Sequence, residues 1–267
     1  MTVRVVTDSA ASLPPETAAA LAITVIDLHV LDSEDNSGKL RTTSGLSSLE
    51  LAAAYGREME KSQDDGVIAI HLSKKLSSTW SASASAAAAA VFPDTVRVID
   101  SGSAGMVMGA AAMAAATKAA QGAALEECHA AALDSIGRAA TWLYLHSIED
   151  MRRSGRMSAA TAMLSTAFLA SKPIMSIVDG KLELVGKTRT QTKAFTKLVE
   201  MISARAAGKP AFIAIQHNQT SEAADKLQSL LRDALPEGTS FINTPLTEVL
   251  AVHAGPSAIG VSAVFSP

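Results

Sequence analysis

A single cysteine, Cys128, rules out a disulfide within the chain and fits a reducing compartment. Aromatic residues make up only 4 % of the 267 positions. That leaves little for a surface that reads nucleic acid by stacking. Charge is sparse too, with a net value of −3 and no basic stripe along the sequence, so binding to a phosphate backbone is not expected. The longest uncharged runs, such as 101–117, are built of alanine and glycine rather than leucine, which argues against a membrane span. Met1 leads directly into the charged, strand-like VRVVTDS, so no secretory leader is expected. The reading is of a soluble, cytoplasmic protein with at most transient membrane contact. The motifs GxSxG and HExxH are missing, as are paired Cys/His spacings, so neither a nucleophile elbow nor a metal centre is predicted. GSAGMVMG follows a strand but has the wrong glycine spacing for a dinucleotide cradle, and no cofactor is expected.

What is present is alanine and a strong alternation of elements. Hydrophobic residues reach 48 %, enough for a sizeable core. In the first half, short β-branched runs (3–6, 24–30, 67–71, 95–99, 142–145) alternate with helical patterns (14–21, 47–61, 78–90, 104–120, 125–139). The polar stretch 32–45 between them must be a loop or hairpin. Strands alternating with helices predict an α/β fold with a largely parallel sheet covered on both faces. The second half mixes helices (148–153, 159–171, 192–206, 221–231) with local strand pairing. Within KPIMSIVDGKLELVGKTR, the Asp179-Gly180 pair between apolar runs is a hairpin signal. A strand is expected at 211–217 and three short strands after residue 231. Two α/β domains are expected, 1–150 and 151–267, the second with a mixed sheet.

Small polar residues recur where the first-half strands end: Thr7-Asp8-Ser9, Thr42-Thr43-Ser44, Ser73 through Thr79, and Asp100 through Ser103. In a parallel sheet, ligands bind beyond the carboxyl ends of the strands. Free N–H groups at helix starts, joined by hydroxyls, suit an anion. The same hydroxyls serve equally as helix caps, and both readings stand for each one. His253, after the apolar run 249–252 and beside the turn-forming Gly255-Pro256, reads as a strand-end histidine able to point into a cleft or to bond within its turn.

Seven segments occur in an order that resembles the DegV family: TDSAASLP, TTSGLS, IAIHLSKKLSSTWSASASAA, VRVIDS, RRSGRMS, KPIMSIVDGKLELVGKTRT and AVHAGPSAIG. The resemblance covers essentially the whole chain and extends to the bacterial fatty-acid-binding subunits of fatty acid kinase. It implies two α/β domains and a buried tunnel holding one long-chain fatty acid. It also implies a carrier rather than an enzyme. The carrier presents the carboxyl group to an ATP-binding kinase subunit, which makes an acyl-phosphate for phospholipid synthesis. By matching motifs, Thr43, Ser77 and His253 would anchor the carboxyl, the backbone of Ser78 or Thr79 would add a donor, and Gly255 would shape the turn beside His253. Arg156 and Arg189 match basic positions near the mouth where the kinase docks. Phe168, Met163, Leu164 and Ile174 are candidates for the tunnel lining and equally for the core. Gly45, Ser78, Trp80 and the serine of RRSGRMS depart from the usual family residues, which bears on ligand length and saturation. Two other readings compete: a serine-type acyl hydrolase using Ser77, His253 and Asp100, and a module that senses lipid without handing it on.

Overall fold

A computed structural model describes residues 2–35, 38–77, 94–157 and 171–267. Two compact units emerge, Met1–Gly137 and Arg138–Pro267. The helices expected at 78–90 and 159–171 fall almost wholly outside the described residues, and so do Ser78, Thr79, Trp80, Met163, Leu164 and Phe168.

The first unit is built on four strands: β1 (Arg4–Asp8), β2 (Ile23–Ile26), β5 (Val67–His71) and β6 (Val96–Asp100). They pair in the order β2-β1-β5-β6, every pair parallel. Strand β5, VIAIH, is buried at all five positions, the pattern of an inner strand covered on both faces. Helices α1 (Pro15–Ala20), α2 (Ser48–Ser62), α3 (Met106–Ala120) and α4 (Leu125–Gly137) complete the described part of this unit. Helix α2 starts at a capping box, with Ser47 and Glu50 each bonding the other's backbone N–H. Helix α3 is mostly alanine, and those small side chains let it pack closely on both α4 and β1. The polar stretch after β2 is a hairpin, β3 (His29–Asp35) with β4 (Gly38–Ser44), forming its own two-stranded sheet. The single strand expected at 24–30 is therefore two strands, and Thr43 sits in a ladder opposite Val30 rather than in a loop.

The second unit holds six strands in the order β11-β10-β12-β7-β8-β9: β7 (Ala139–Tyr144), β8 (Lys172–Val178), β9 (Lys181–Thr188), β10 (Ala211–His217), β11 (Ser240–Pro245) and β12 (Ile259–Phe265). Only β10 and β11 are parallel; every other pair is antiparallel. Strand β7, expected to close the first half, pairs instead with β12 and β8, and the two compact units divide at Gly137/Arg138. The β8–β9 hairpin turns at Asp179 and Gly180, both with positive φ (47° and 77°), which matches the right-handed twist of the flanking strands. Helices α5 (Glu149–Ser154), α6 (Gln191–Ala206), α7 (Ser221–Ala234) and α8 (Glu248–Ala254) complete the described part of this unit. Its core gathers Tyr144, Ile174, Phe195, Leu198 and Ile213, with Tyr144 and Phe195 meeting edge-on at 5.5 Å. Ile174 is fully buried there. The fold class is thus the expected α/β pair, one sheet parallel and one mixed.

The run at 249–252 was expected to be a strand and is helix α8. Four apolar residues are too few to separate the two periodicities. Thr247 in extended backbone and Glu248 in the first turn start a helix instead.

Candidate functional site

In the first unit the carboxyl ends of β1, β5 and β6 lie side by side, with His71 registered opposite Asp100. The segments that follow are stitched together by their polar groups. The Thr7 hydroxyl donates to the Ile70 carbonyl (2.9 Å), and Ser9 accepts from the Leu28 N–H (3.0 Å). Ser73 N–H bonds the Ser103 carbonyl (2.8 Å), while its hydroxyl accepts from Lys75 N–H (3.2 Å). Asp100 accepts from the N–H groups of Lys74 and Gly102 and lies 3.6 Å from the Lys74 ammonium. Gly105 N–H reaches the Ala10 carbonyl at 2.8 Å, from a backbone (φ 72°, ψ −154°) that only glycine adopts readily. The hydroxyls of Thr7, Ser9 and Ser73 therefore knit loops together. Among the described residues none of these three caps an α-helix: α2 is capped by Ser47, and α3 starts at Gly105 without a side-chain cap.

Beneath these loops lies a buried chain that sequence inspection did not assign. The Asp8 carboxylate accepts from Ala10 N–H (3.0 Å), Leu72 N–H (3.1 Å) and His71 Nδ1 (3.0 Å). On its other side, His71 Nε2 meets the Tyr55 hydroxyl at 2.8 Å. Tyr55 is fully buried, and the Asp8 and His71 side chains are each 3 % exposed. Burial first, and the Asp8 charge second, push the Tyr55 hydroxyl above its ordinary pKa, so it remains protonated. The available signals were a polar residue ending β1 and a histidine ending an apolar strand. Their union across 63 residues had no local mark.

Ser77 lines a recess with Asp8, His71 and the aliphatic side chains of Leu28, Leu46 and Leu51. Its free volume is about 10 Å³, the room of one water molecule. The backbone around it is a tight turn, with Leu76 and Ser77 N–H groups both bonding the Ser73 carbonyl (2.9 and 3.1 Å). Apolar walls around a hydroxyl, an imidazole and a carboxylate suit the polar end of an amphiphile. Thr43 belongs to the same unit, half-buried on β4.

In the second unit, α5 packs on α8. Gly155 ends α5 in the left-handed region (φ 70°), and Arg156 follows it. His253 stands in the last turn of α8, not at a strand end. Its imidazole is held down to about 4 by burial and, second, by the positive charge of Arg156. At neutral pH it is therefore a neutral ring, donating from one nitrogen. Arg156 is half-buried, its own pKa lowered by burial, and its guanidinium donates to the Ser154 carbonyl. Arg189 is exposed between β9 and α6. Gly255 is buried and closes α8: its N–H bonds the Ala251 carbonyl (3.0 Å) and its carbonyl accepts from the Asn218 side chain (2.7 Å). Asn218, which sequence reasoning passed over, also pairs through its backbone with Ser257 and Ala258 and so fixes the turn after His253.

Among the described residues no His, Cys, Asp or Glu cluster could hold a metal ion, and no helix is long and apolar enough to cross a membrane.

The family model described as "Uncharacterised protein, DegV family" matches residues 30–266. The crystal structure of a DegV family protein from Corynebacterium glutamicum is 55 % identical and superposes with a TM-score of 0.95, over 100 % of this chain and 98 % of that one. A DegV family protein from Thermus thermophilus, whose structure is reported for fatty acid binding, is 27 % identical with a TM-score of 0.89, over the full length of both chains. DegV of Bacillus subtilis, described as a fatty acid binding protein, is 28 % identical with a TM-score of 0.84, again over the full length of both.

Proposed function

Because the chain belongs to the DegV family, we propose that it binds one long-chain fatty acid and presents the carboxyl group to an ATP-dependent fatty acid kinase subunit for acyl-phosphate formation. The observation that carries the first part is the full-length likeness to the T. thermophilus and B. subtilis proteins. The recess at Ser77 agrees in chemistry, with aliphatic walls around a few polar groups. In this reading Thr43, Ser77 and His253 hold the carboxyl, the backbone of Ser78 or Thr79 adds a donor, and Gly255 sets the His253 turn. Arg156 and Arg189 face the kinase. The chain acts as a cytoplasmic carrier without chemistry of its own, touching a membrane only in passing. Each buried methylene adds about 0.8 kcal/mol, so a dozen supply on the order of 10 kcal/mol before the entropy of association. The tail provides affinity and the polar groups provide direction.

Extraction of the purified protein followed by mass spectrometry is expected to yield one fatty acid per chain. Ser77→Ala combined with His253→Ala is expected to weaken fatty acid binding by about 100-fold, from the loss of two hydrogen bonds to a charged group. Unchanged affinity in the double variant rejects the anchors. The competing hydrolase reading needs Asp100 to orient His253, yet Asp100 is engaged by Lys74 and Gly102. Turnover of a p-nitrophenyl acyl ester that disappears in Ser77→Ala would replace the carrier reading with that one.

A further inference from the structure

The Asp8–His71–Tyr55 chain has a property that its role in holding loops does not require. Asp8 is an acceptor on both oxygens and sits next to the recess that Ser77 lines. An anionic head group held at the mouth of that recess would lie close to a buried carboxylate. At low dielectric, two uncompensated negative charges in one place are costly.

The charged groups on the described elements packed around this chain are already committed or distant. Arg4, at the far end of β1, pairs with Glu58 of α2, which also binds Lys61. Lys74 lies on the surface against Asp100 at the end of β6, and Lys75 is exposed. His29 of the hairpin pairs with Glu50, and Asp27 after β2 is exposed. Helix α3 carries no charged side chain before Lys118, near its far end. The short turn Ser9–Ala11 carries none.

The chain itself can provide the missing charge. With Asp8 ionised, His71 Nδ1 is the donor in that bond. Nε2 then faces a hydroxyl that works in both directions. Tyr55 donates to a neutral imidazole and accepts from an imidazolium, so either protonation state of His71 keeps its bonds to Asp8 and Tyr55. A phenylalanine at position 55 would cost the imidazolium a charge-assisted bond and the neutral ring only an ordinary one, and a lysine there would repel the imidazolium.

We propose that the Asp8–His71–Tyr55 chain takes up a proton from solvent when a carboxylate head group binds at the mouth of the recess beside Ser77, so that the ligand faces an imidazolium–carboxylate pair. This rests on the fatty acid reading above and assigns the three residues as positioning groups that set the charge of the site. Binding and proton uptake are then linked, and affinity falls as pH rises, by about tenfold per pH unit where a full proton is taken up.

The test is calorimetric titration of the full chain with oleic acid below its micelle concentration. It is run at about pH 8, where a free carboxyl is ionised, in two buffers of different ionisation enthalpy. About one proton taken up per ligand bound is expected. His71→Gln is expected to abolish the uptake, whereas His253→Gln, although it weakens binding, is expected to retain it per ligand bound. If His71→Gln does not fold, Tyr55→Phe decides instead, with uptake expected to fall below about half a proton. Binding without uptake overturns this inference alone. So does uptake that survives both the His71 and the Tyr55 substitutions, or that is lost only in His253→Gln. A chain that binds no fatty acid overturns the carrier reading and this inference with it.

Discussion

The guanidinium of Arg156 bears on the imidazole of His253: burial of the ring, and then that neighbouring charge, bring the histidine down to about 4. An unfolded histidine takes a proton near pH 6.5. Above that pH both states are neutral and the ring has no linkage effect. Between about 6.5 and 4 the unfolded chain binds a proton that the folded ring refuses, so stability falls as the pH drops through this window. Urea unfolding of His253→Gln is expected to lose that part of the slope, on the order of 2 kcal/mol after discounting for solvent. In Arg156→Ala, the NMR titration of His253 is expected to move up but to stay below the ordinary value, because burial is the larger cause.

Arg4 and Lys61 hold the buried Glu58 carboxyl at 3.0 and 2.6 Å. Burial alone would raise this carboxyl; hydrogen bonds from Lys61, Arg4 and Thr24 outweigh it and hold the pKa below the usual value. The sign is opposite in origin to that at His253 but similar in direction. Glu58 stabilises the fold above the ordinary carboxylate range, and that contribution is lost as pH falls below it. Arg4→Ala is expected to cost about 2 kcal/mol at neutral pH in chemical denaturation, since Lys61 still partners the charge. Glu58→Gln is expected to flatten the acid limb.

Gly180 carries the second positive φ of the β8–β9 turn. Gly180→Val forces a β-branched side chain into that conformation, at a cost of about 1–2 kcal/mol. In a chain of this size, a fall in Tm of about 2–8 °C measured by calorimetry is expected. Asp179→Gly, which relaxes the neighbouring position, is expected to leave Tm within about a degree or two.

Arg189 is exposed ahead of α6. If it meets the kinase, Arg189→Glu is expected to slow acyl-phosphate formation by the reconstituted pair at least about tenfold, mostly through slower association. Fatty acid affinity measured by calorimetry is expected to stay within about twofold. Equal phosphorylation rates for the two proteins would remove Arg189 from the docking surface.

Local signals carried the fold a long way. The strand at 211–217 and the turn at Asp179-Gly180 appear where the sequence places them, because strand composition and turn chemistry are properties of neighbours. The errors lie where partners are distant. Strand β7 reads like its predecessors, and only its pairing with β12 and β8 assigns it to the second sheet. The segment 249–252 was ambiguous by period, and Thr247 with Glu248 decided it. The site follows the same rule. Asp8 was visible as a polar residue closing a strand. Its meeting with His71 and Tyr55 depends on β1, β5 and α2 being adjacent, which no window of sequence contains.

Strand β12 comes last of the described strands in chain order, yet it lies between β10 and β7 in the six-stranded sheet. During synthesis β7, β8 and β9 therefore emerge before the strand that joins them to β10 and β11. Until β12 is in place, the edges of β7 and β10 that it will cover are open, and pairing with another chain competes with closure of the sheet.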